Sequence, residues 1–143
     1  MADIDFGQLS EALNDKSDRD LRNVDTTAKA DAVIDYQEPT ADNGYTWYRK
    51  YKSGWVEQGG YVDGNYSHTF SGTYMSEYVA TTITLPVEMA NTNVNIYCNS
   101  TVGQVIASGV LNGTTALEIM LASANYTASG VDVSWQVSGL SAN

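Results

Sequence analysis

Tyr45-Thr-Trp-Tyr-Arg-Lys-Tyr-Lys-Ser-Gly-Trp-Val-Glu-Gln-Gly-Gly60 holds five of the chain's fifteen aromatic residues in sixteen positions. Side chains of an extended chain alternate between its two sides, so Tyr45, Trp47, Arg49 and Tyr51 fall on one face. Ser53-Gly54 supplies a turn and Trp55 restarts the extended pattern, which predicts a β-hairpin. An aromatic hairpin suits a core, an interface or a sugar-binding surface equally well, because aromatic rings bury apolar area and also stack on flat partners.

The alternation continues downstream. Val79, Thr81, Ile83 and Leu85 share a face, and Pro86 ends that strand by removing a ladder donor. Val94, Ile96 and Cys98 alternate in the next apolar piece, followed by a shorter one at Val105-Ile-Ala. Asn112-Gly113 is a turn signal between Val110-Leu111 and a strand that carries Leu117, Ile119 and Leu121. The cleanest strand is the last, with Val131, Val133, Trp135 and Val137 alternating with Asp132, Ser134, Gln136 and Ser138. Short strands at this spacing predict a mainly β chain with an antiparallel β-sandwich head over residues 44–143.

Upstream the chain changes character. Residues 1–43 hold eleven acids and four bases, and residues 44–143 hold six and three, so net charges of −7 and −3 make up the total of −10. Phe6, Leu9 and Leu13 form a narrow helical stripe, with Leu21 and Val24 as later apolar anchors in a turn-rich connector. Two helical turns are too short to stand alone, so residues 1–25 read either as a coiled-coil stub formed by parallel copies or as an unstructured tail. Residues 26–43 read as a linker, with a helical turn and an extended strap both open for 26–35. Asp15, Asp18, Asp20 and Asp25 lack the glycine and terminal glutamate of a calcium loop and read as a solvated acidic face.

A charge of −10 repels phosphate backbones and anionic membrane surfaces, which argues against nucleic acid as a partner. No apolar run approaches the ~20 residues needed to span a bilayer, and Met-Ala-Asp-Ile-Asp-Phe lacks the basic start of a secretory signal, so the chain is expected to be soluble without membrane insertion. A single cysteine excludes an internal disulfide framework, and Cys98 reads as a buried structural thiol.

Catalysis has no visible carrier. One histidine, His68, and one cysteine cannot build a zinc site from a single chain, and no nucleophile elbow or phosphate-cradling glycine loop occurs. The expectation is therefore no metal, no cofactor and no enzyme activity, with His68 on an exposed loop. Glu57 and Glu118 are the strand-embedded carboxylates, and Glu57 is expected opposite Arg49 or Lys50 across the hairpin rather than paired for glycoside hydrolysis. The segment from Tyr61 to Tyr78 mixes four tyrosines with Asp, Asn, Ser, Thr and Gly, a composition of recognition surfaces and also of subunit interfaces.

Trp47-Tyr-Arg-Lys-Tyr-Lys-Ser-Gly-Trp-Val-Glu-Gln-Gly-Gly60 resembles a signature found in C-terminal domains of bacteriophage and prophage tail fibre proteins. Leu13 to Val24, Ile83-Thr-Leu-Pro86 with Asn91-Thr-Asn93, and Val133-Ser-Trp-Gln-Val-Ser-Gly139 are similar to further pieces of that family in the same order. The resemblance implies a homotrimeric fibre tip in the virion, made in the bacterial cytoplasm and attached to the rest of the tail. It further implies binding to a glycan or protein receptor on the host surface. Phe6, Leu9, Leu13, Leu21 and Val24 would make trimer contacts. Residues 61–78 are an addition to the pattern and read as a loop, which places receptor contact on Tyr61, Asn65, Tyr66, His68, Tyr74 and Tyr78. Trp47 and Trp55 then read as scaffold, buried in the head or between subunits. A bacterial surface carbohydrate-binding module or adhesin, and a depolymerase appendage, are the competing readings.

Overall fold

The chain's computed structural model describes residues 31–143; the expected helical stub, with Phe6, Leu9, Leu13, Leu21 and Val24, lies outside the described residues. Within them the alternating sequence forms eight strands: β1 (Val33–Gln37), β2 (Trp47–Tyr51), β3 (Trp55–Phe70), β4 (Ser76–Thr84), β5 (Asn95–Ser100), β6 (Ile106–Asn112), β7 (Ala116–Ser123) and β8 (Tyr126–Leu140). They make a five-stranded sheet in the order β1-β2-β3-β8-β5 and a three-stranded sheet in the order β4-β7-β6, all neighbours antiparallel. The described residues are thus all-β. In the stretch left open between helical turn and strap, the described part is extended, because Val33–Gln37 pairs with β2 as an edge strand.

The two sheets share one core. Val56 from β3, Leu117, Ile119 and Leu121 from β7, and Val131, Val133, Trp135 and Val137 from β8 are buried together with Phe70 and Met89. Alternation dictates this set, since every second residue of β7 and β8 faces the opposing sheet. The interior position of β8, between β3 and β5, explains why its pattern is the most regular in the chain.

β3 and β8 are longer than the sequence suggests, at 16 and 15 residues, and pair from Trp55 opposite Leu140 to Phe70 opposite Tyr126. Residues 61–78 are therefore not one loop: β3 continues to Phe70 and β4 begins at Ser76. The turn-forming residues Asp63-Gly-Asn65 are absorbed as a bulge, with the register shifting between Val62 and Tyr66 and Asn65 held at φ 46°. A bulge takes extra residues without ending a strand, and Asn tolerates positive φ, so a loop-like composition hides a continuous ladder.

The glycine pair that closes the opening stretch has a steric explanation. A Cβ on Gly59 would lie 2.7 Å from the Trp135 carbonyl oxygen and 2.9 Å from the Trp47 ring, and one on Gly60 would lie 2.9 Å from the Trp135 indole nitrogen. One glycine makes room for an indole on the outer face of the sheet and the next for an indole on the inner face. Within one chain Trp55 is exposed and Trp47 half-buried on the outer face, so of the two places expected for them burial in the head falls away, and the tryptophan in its core is Trp135.

Gln58 is a polar group in the core. Its Nε2 donates to the Val87 carbonyl at 2.8 Å and lies 3.1 Å from Met89 Sδ, and its Oε1 accepts the Val87 N–H at 2.9 Å. The side-chain amide thereby imitates a strand partner for the segment after Pro86. Backbone bonds from Leu85 to Thr115, Met89 to Thr114 and Ala90 to Leu140 complete the closure of that end of the sandwich.

Cys98 sits on the inner side of β5, and burial pushes its thiol up to about 11. At pH 8 roughly one thiol in a thousand is then ionised, and the thiolate is the reactive form. Folded protein is expected to react with a disulfide reagent such as dithionitrobenzoate far more slowly than urea-unfolded protein. Equal rates would show that the thiol is accessible.

Candidate functional site

Cross-strand neighbours share a face, so the register assigns the outer surface of the five-stranded sheet in rows. One row runs Tyr36, Arg49, Glu57, Ser138, Asn95; the next Trp47, Gly59, Gln136, Tyr97; the next Tyr61, Ser134, Asn99. This face carries no covering layer among the described residues, and Tyr36, Tyr45, Trp55, Tyr61 and Tyr97 are exposed on or beside it. The polar residues between them are mostly uncharged amides and hydroxyls. Flat rings set among hydrogen-bonding groups that carry no net charge suit ligands with apolar faces and hydroxyl rims.

The face carries a groove of about 450 Å³ lined by Pro39, Tyr45, Trp47, Gly60, Tyr61 and Asp63. A second groove of about 260 Å³, lined by Gln37, Glu38, Pro39, Trp47 and Arg49, shares Pro39 and Trp47 with it. Trp47 thus forms a ridge between two depressions, one bordered by an acid and the other by Arg49 and Glu38.

The groove's walls are braced. The Tyr61 hydroxyl donates to Asp132 Oδ2 at 2.9 Å, and the Asn65 N–H in the bulge donates to Asp132 Oδ1 at 2.9 Å. The Asn65 N–H, then the Tyr61 hydroxyl, hold the Asp132 carboxyl below the usual carboxylate range, and the bond to Asp132 raises the Tyr61 phenol above its ordinary value. On the other side Tyr45 adopts φ 58°, in the left-handed region that a bulky non-glycine residue rarely enters. A web of bonds holds it there: Tyr45 N–H to the Thr40 carbonyl at 2.8 Å, Thr40 N–H to Asn43 Oδ1 at 3.0 Å, Asn43 Nδ2 to the Glu38 carbonyl at 2.7 Å, and Gln37 Nε2 to the Thr46 carbonyl at 2.9 Å.

The six residues singled out from the sequence do not come together. Tyr61 lines the groove and Asn65 sits in the adjoining bulge. Tyr66 and Tyr78 pack against the core. His68 is half-buried in β3 rather than on an exposed loop, stacked on Tyr78 with ring centroids 4.2 Å apart and set edge-on to Phe70 at 4.7 Å. Tyr74 stands alone at the tip of the β3–β4 connection and is 86% exposed. Sequence reasoning missed Tyr36, Tyr45 and Tyr97 as groove or face residues, and the hairpin alternation that placed Tyr45 with Trp47 was the signal that could have found one of them.

The strand carboxylates are held apart. Glu57 lies on the outer face of one sheet and Glu118 on the outer face of the other, with the core between them. Each has a neutral partner: the Tyr51 hydroxyl donates to Glu57 at 3.1 Å and Asn112 Nδ2 to Glu118 at 3.0 Å. Glu57 stands opposite Arg49 in the ladder. Among the described residues no group of three or more His, Cys, Asp or Glu side chains is placed to hold a metal ion, and no helix is long and apolar enough to cross a membrane.

No protein-family model and no curated protein matches the chain. Among solved structures it is similar to the C-terminal part of the P. aeruginosa R1 pyocin fibre, at 13% identity and a TM-score of 0.49, over 76% of this chain and 29% of that one. It is also similar to an N-truncated R1-type pyocin tail fibre, at 16% identity and a TM-score of 0.47, over 82% of this chain and 97% of that one. For the C-terminal part of the P. aeruginosa R2 pyocin fibre the values are 16%, 0.44, 82% and 29%. The chain spans 29% of the length of the two longer fibre chains.

Proposed function

We propose that this chain is the head of a homotrimeric tail fibre, that it attaches to a receptor on the surface of a host bacterium, and that the outer face of the five-stranded sheet makes the contact. The observation that carries the reading is the braced aromatic groove around Trp47 on a sheet face with no covering layer among the described residues. The resemblance of Trp47 to Gly60 to tail fibre sequences supports the biological setting, and Gly59 within it leaves room for the Trp47 ring that walls the groove. Rings fixed by strands recognise a partner at low entropic cost, because little side-chain freedom remains to be lost. The reading moves the receptor contact from residues 61–78 as a whole to Tyr61 and its neighbours across β2. On this reading the chain binds without catalysing.

Fluorescently labelled protein is mixed with a panel of bacterial strains and with cells stripped of lipopolysaccharide or capsule. Trp47→Ala is expected to weaken cell binding about tenfold or more, equivalent to about 1.4 kcal/mol, with the protein still folded and trimeric at the assay temperature. The Tyr66→Ala, Tyr74→Ala double variant is expected to bind within about threefold of the parent, a difference well under 1 kcal/mol. The opposite ranking would return the contact to the β3–β4 end of the head. Light scattering that gives the mass of one chain at micromolar concentration would remove the trimer and favour a monomeric adhesin.

A further inference from the structure

The groove beside Trp47 has a chemistry narrower than carbohydrate in general. Three aromatic rings, Tyr45, Trp47 and Tyr61, converge on one space, and Asp63 is the charged residue among its lining. Asp132 lies directly behind Tyr61 and is held ionised by the Asn65 N–H and the Tyr61 hydroxyl. No lysine or arginine lines this groove; Arg49 lies across the Trp47 ridge, in the neighbouring depression. Aromatic faces carry negative potential and attract cations, and carboxylates at the rim add to it. A net charge of −10 extends the same preference over a longer range. An anionic sugar would meet repulsion here, and a neutral one would gain nothing from the Asp63 charge.

We infer that this groove binds a pyranose ring bearing a free ammonium group, with the ring on the Tyr45–Trp47 wall and the ammonium facing Asp63 and the π faces. The inference rests on the receptor-binding reading above and narrows it to amino sugars. The volume agrees: about 450 Å³ lies within the range of small-ligand sites, about 300–1,000 Å³, and the second depression across Trp47 extends the track for a neighbouring residue of an oligosaccharide. Tyr45 supports it independently of charge. A bulky residue held at φ 58° by a bonded turn is backbone strain kept at a concave surface, and glycine would occupy that position without strain. What tyrosine adds there is a ring at the groove.

The test uses the full chain and a glucosamine tetramer, with the fully N-acetylated tetramer of the same linkage and tetralysine as comparisons, by isothermal titration and by tryptophan fluorescence. The glucosamine tetramer is expected to bind at least tenfold more tightly than the acetylated one. Asp63→Asn is expected to remove most of that preference, through a loss of affinity for the glucosamine tetramer. Tyr45→Gly is expected to weaken binding of both sugars without lowering the thermal midpoint, which separates a ligand role from a structural one. Equal affinity for the two sugars, or a preference that survives Asp63→Asn, overturns the inference. So does tetralysine binding as tightly as the glucosamine tetramer, since that reports only the overall charge. Cell binding distinguishes the two levels. If cells bind and Tyr45→Gly abolishes it while no glucosamine preference exists, the amino-sugar class is wrong and the receptor face stands. If no strain binds the parent protein, the receptor reading itself fails.

Discussion

Trp135→Ala will lower the unfolding free energy by about 3–5 kcal/mol, the largest single-residue effect expected in this head. Trp135 is 3% exposed on an interior strand of the larger sheet, with Gly60 beside it on β3 and Cys98 opposite it on β5. Its ring occupies the space that a Cβ on Gly60 would need, so removing it leaves a cavity beside a residue with no side chain to fill it. Partial collapse sets the spread of the estimate, because strands held on both sides relax less than a loop would. Urea titration at fixed protein concentration is the measurement, since linked assembly would otherwise shift the midpoint by mass action. Trp47→Ala provides the internal contrast: its ring is half-buried on the outer face, and its loss is expected to cost less than half as much. Equal losses would place the core on the wrong side of the sheet.

Gln58→Leu will destabilise by about 2–4 kcal/mol although it keeps the size of the side chain and raises its hydrophobicity. The reason is what it leaves behind. Gln58 is fully buried and satisfies both the N–H and the carbonyl of Val87, so leucine orphans two backbone groups at once. Hydrogen exchange should locate the damage, with the Val87 amide losing protection before the β3–β8 ladder does. A leucine variant within about 0.5 kcal/mol of the parent would mean that water reaches the Val87 groups and that the amide bridge carries little energy.

Much of the architecture was legible because a strand's period of two is local. The hairpin at Ser53-Gly54, the turn at Asn112-Gly113, the stop at Pro86 and the faces of β7 and β8 all follow from neighbouring residues, and Gly54 and Gly113 take the positive φ that these turns require. Residues 61–70 were misread for an equally local reason. Asp, Gly and Asn favour turns wherever they occur, and only pairing with β8 over the length of β3 shows that the turn residues form a bulge. The role of His68 likewise depends on β4 arriving beside β3 with Tyr78 in place.

Sequence alone determined that the chain is mainly β, which residues alternate together, and that the stretch from Tyr45 to Gly60 is an aromatic hairpin, because each of these depends on residues within a few positions of one another. Only the tertiary structure decided which face of that hairpin is the core. The strand of Trp135 separates an apolar face from a polar one, but β2 carries aromatic and basic residues on both faces, so there a period of two identifies two faces without saying which is inside. The second sheet settles it by covering Trp135, Gln58 and Val56 and leaving Tyr45, Trp47 and Tyr61 facing outward.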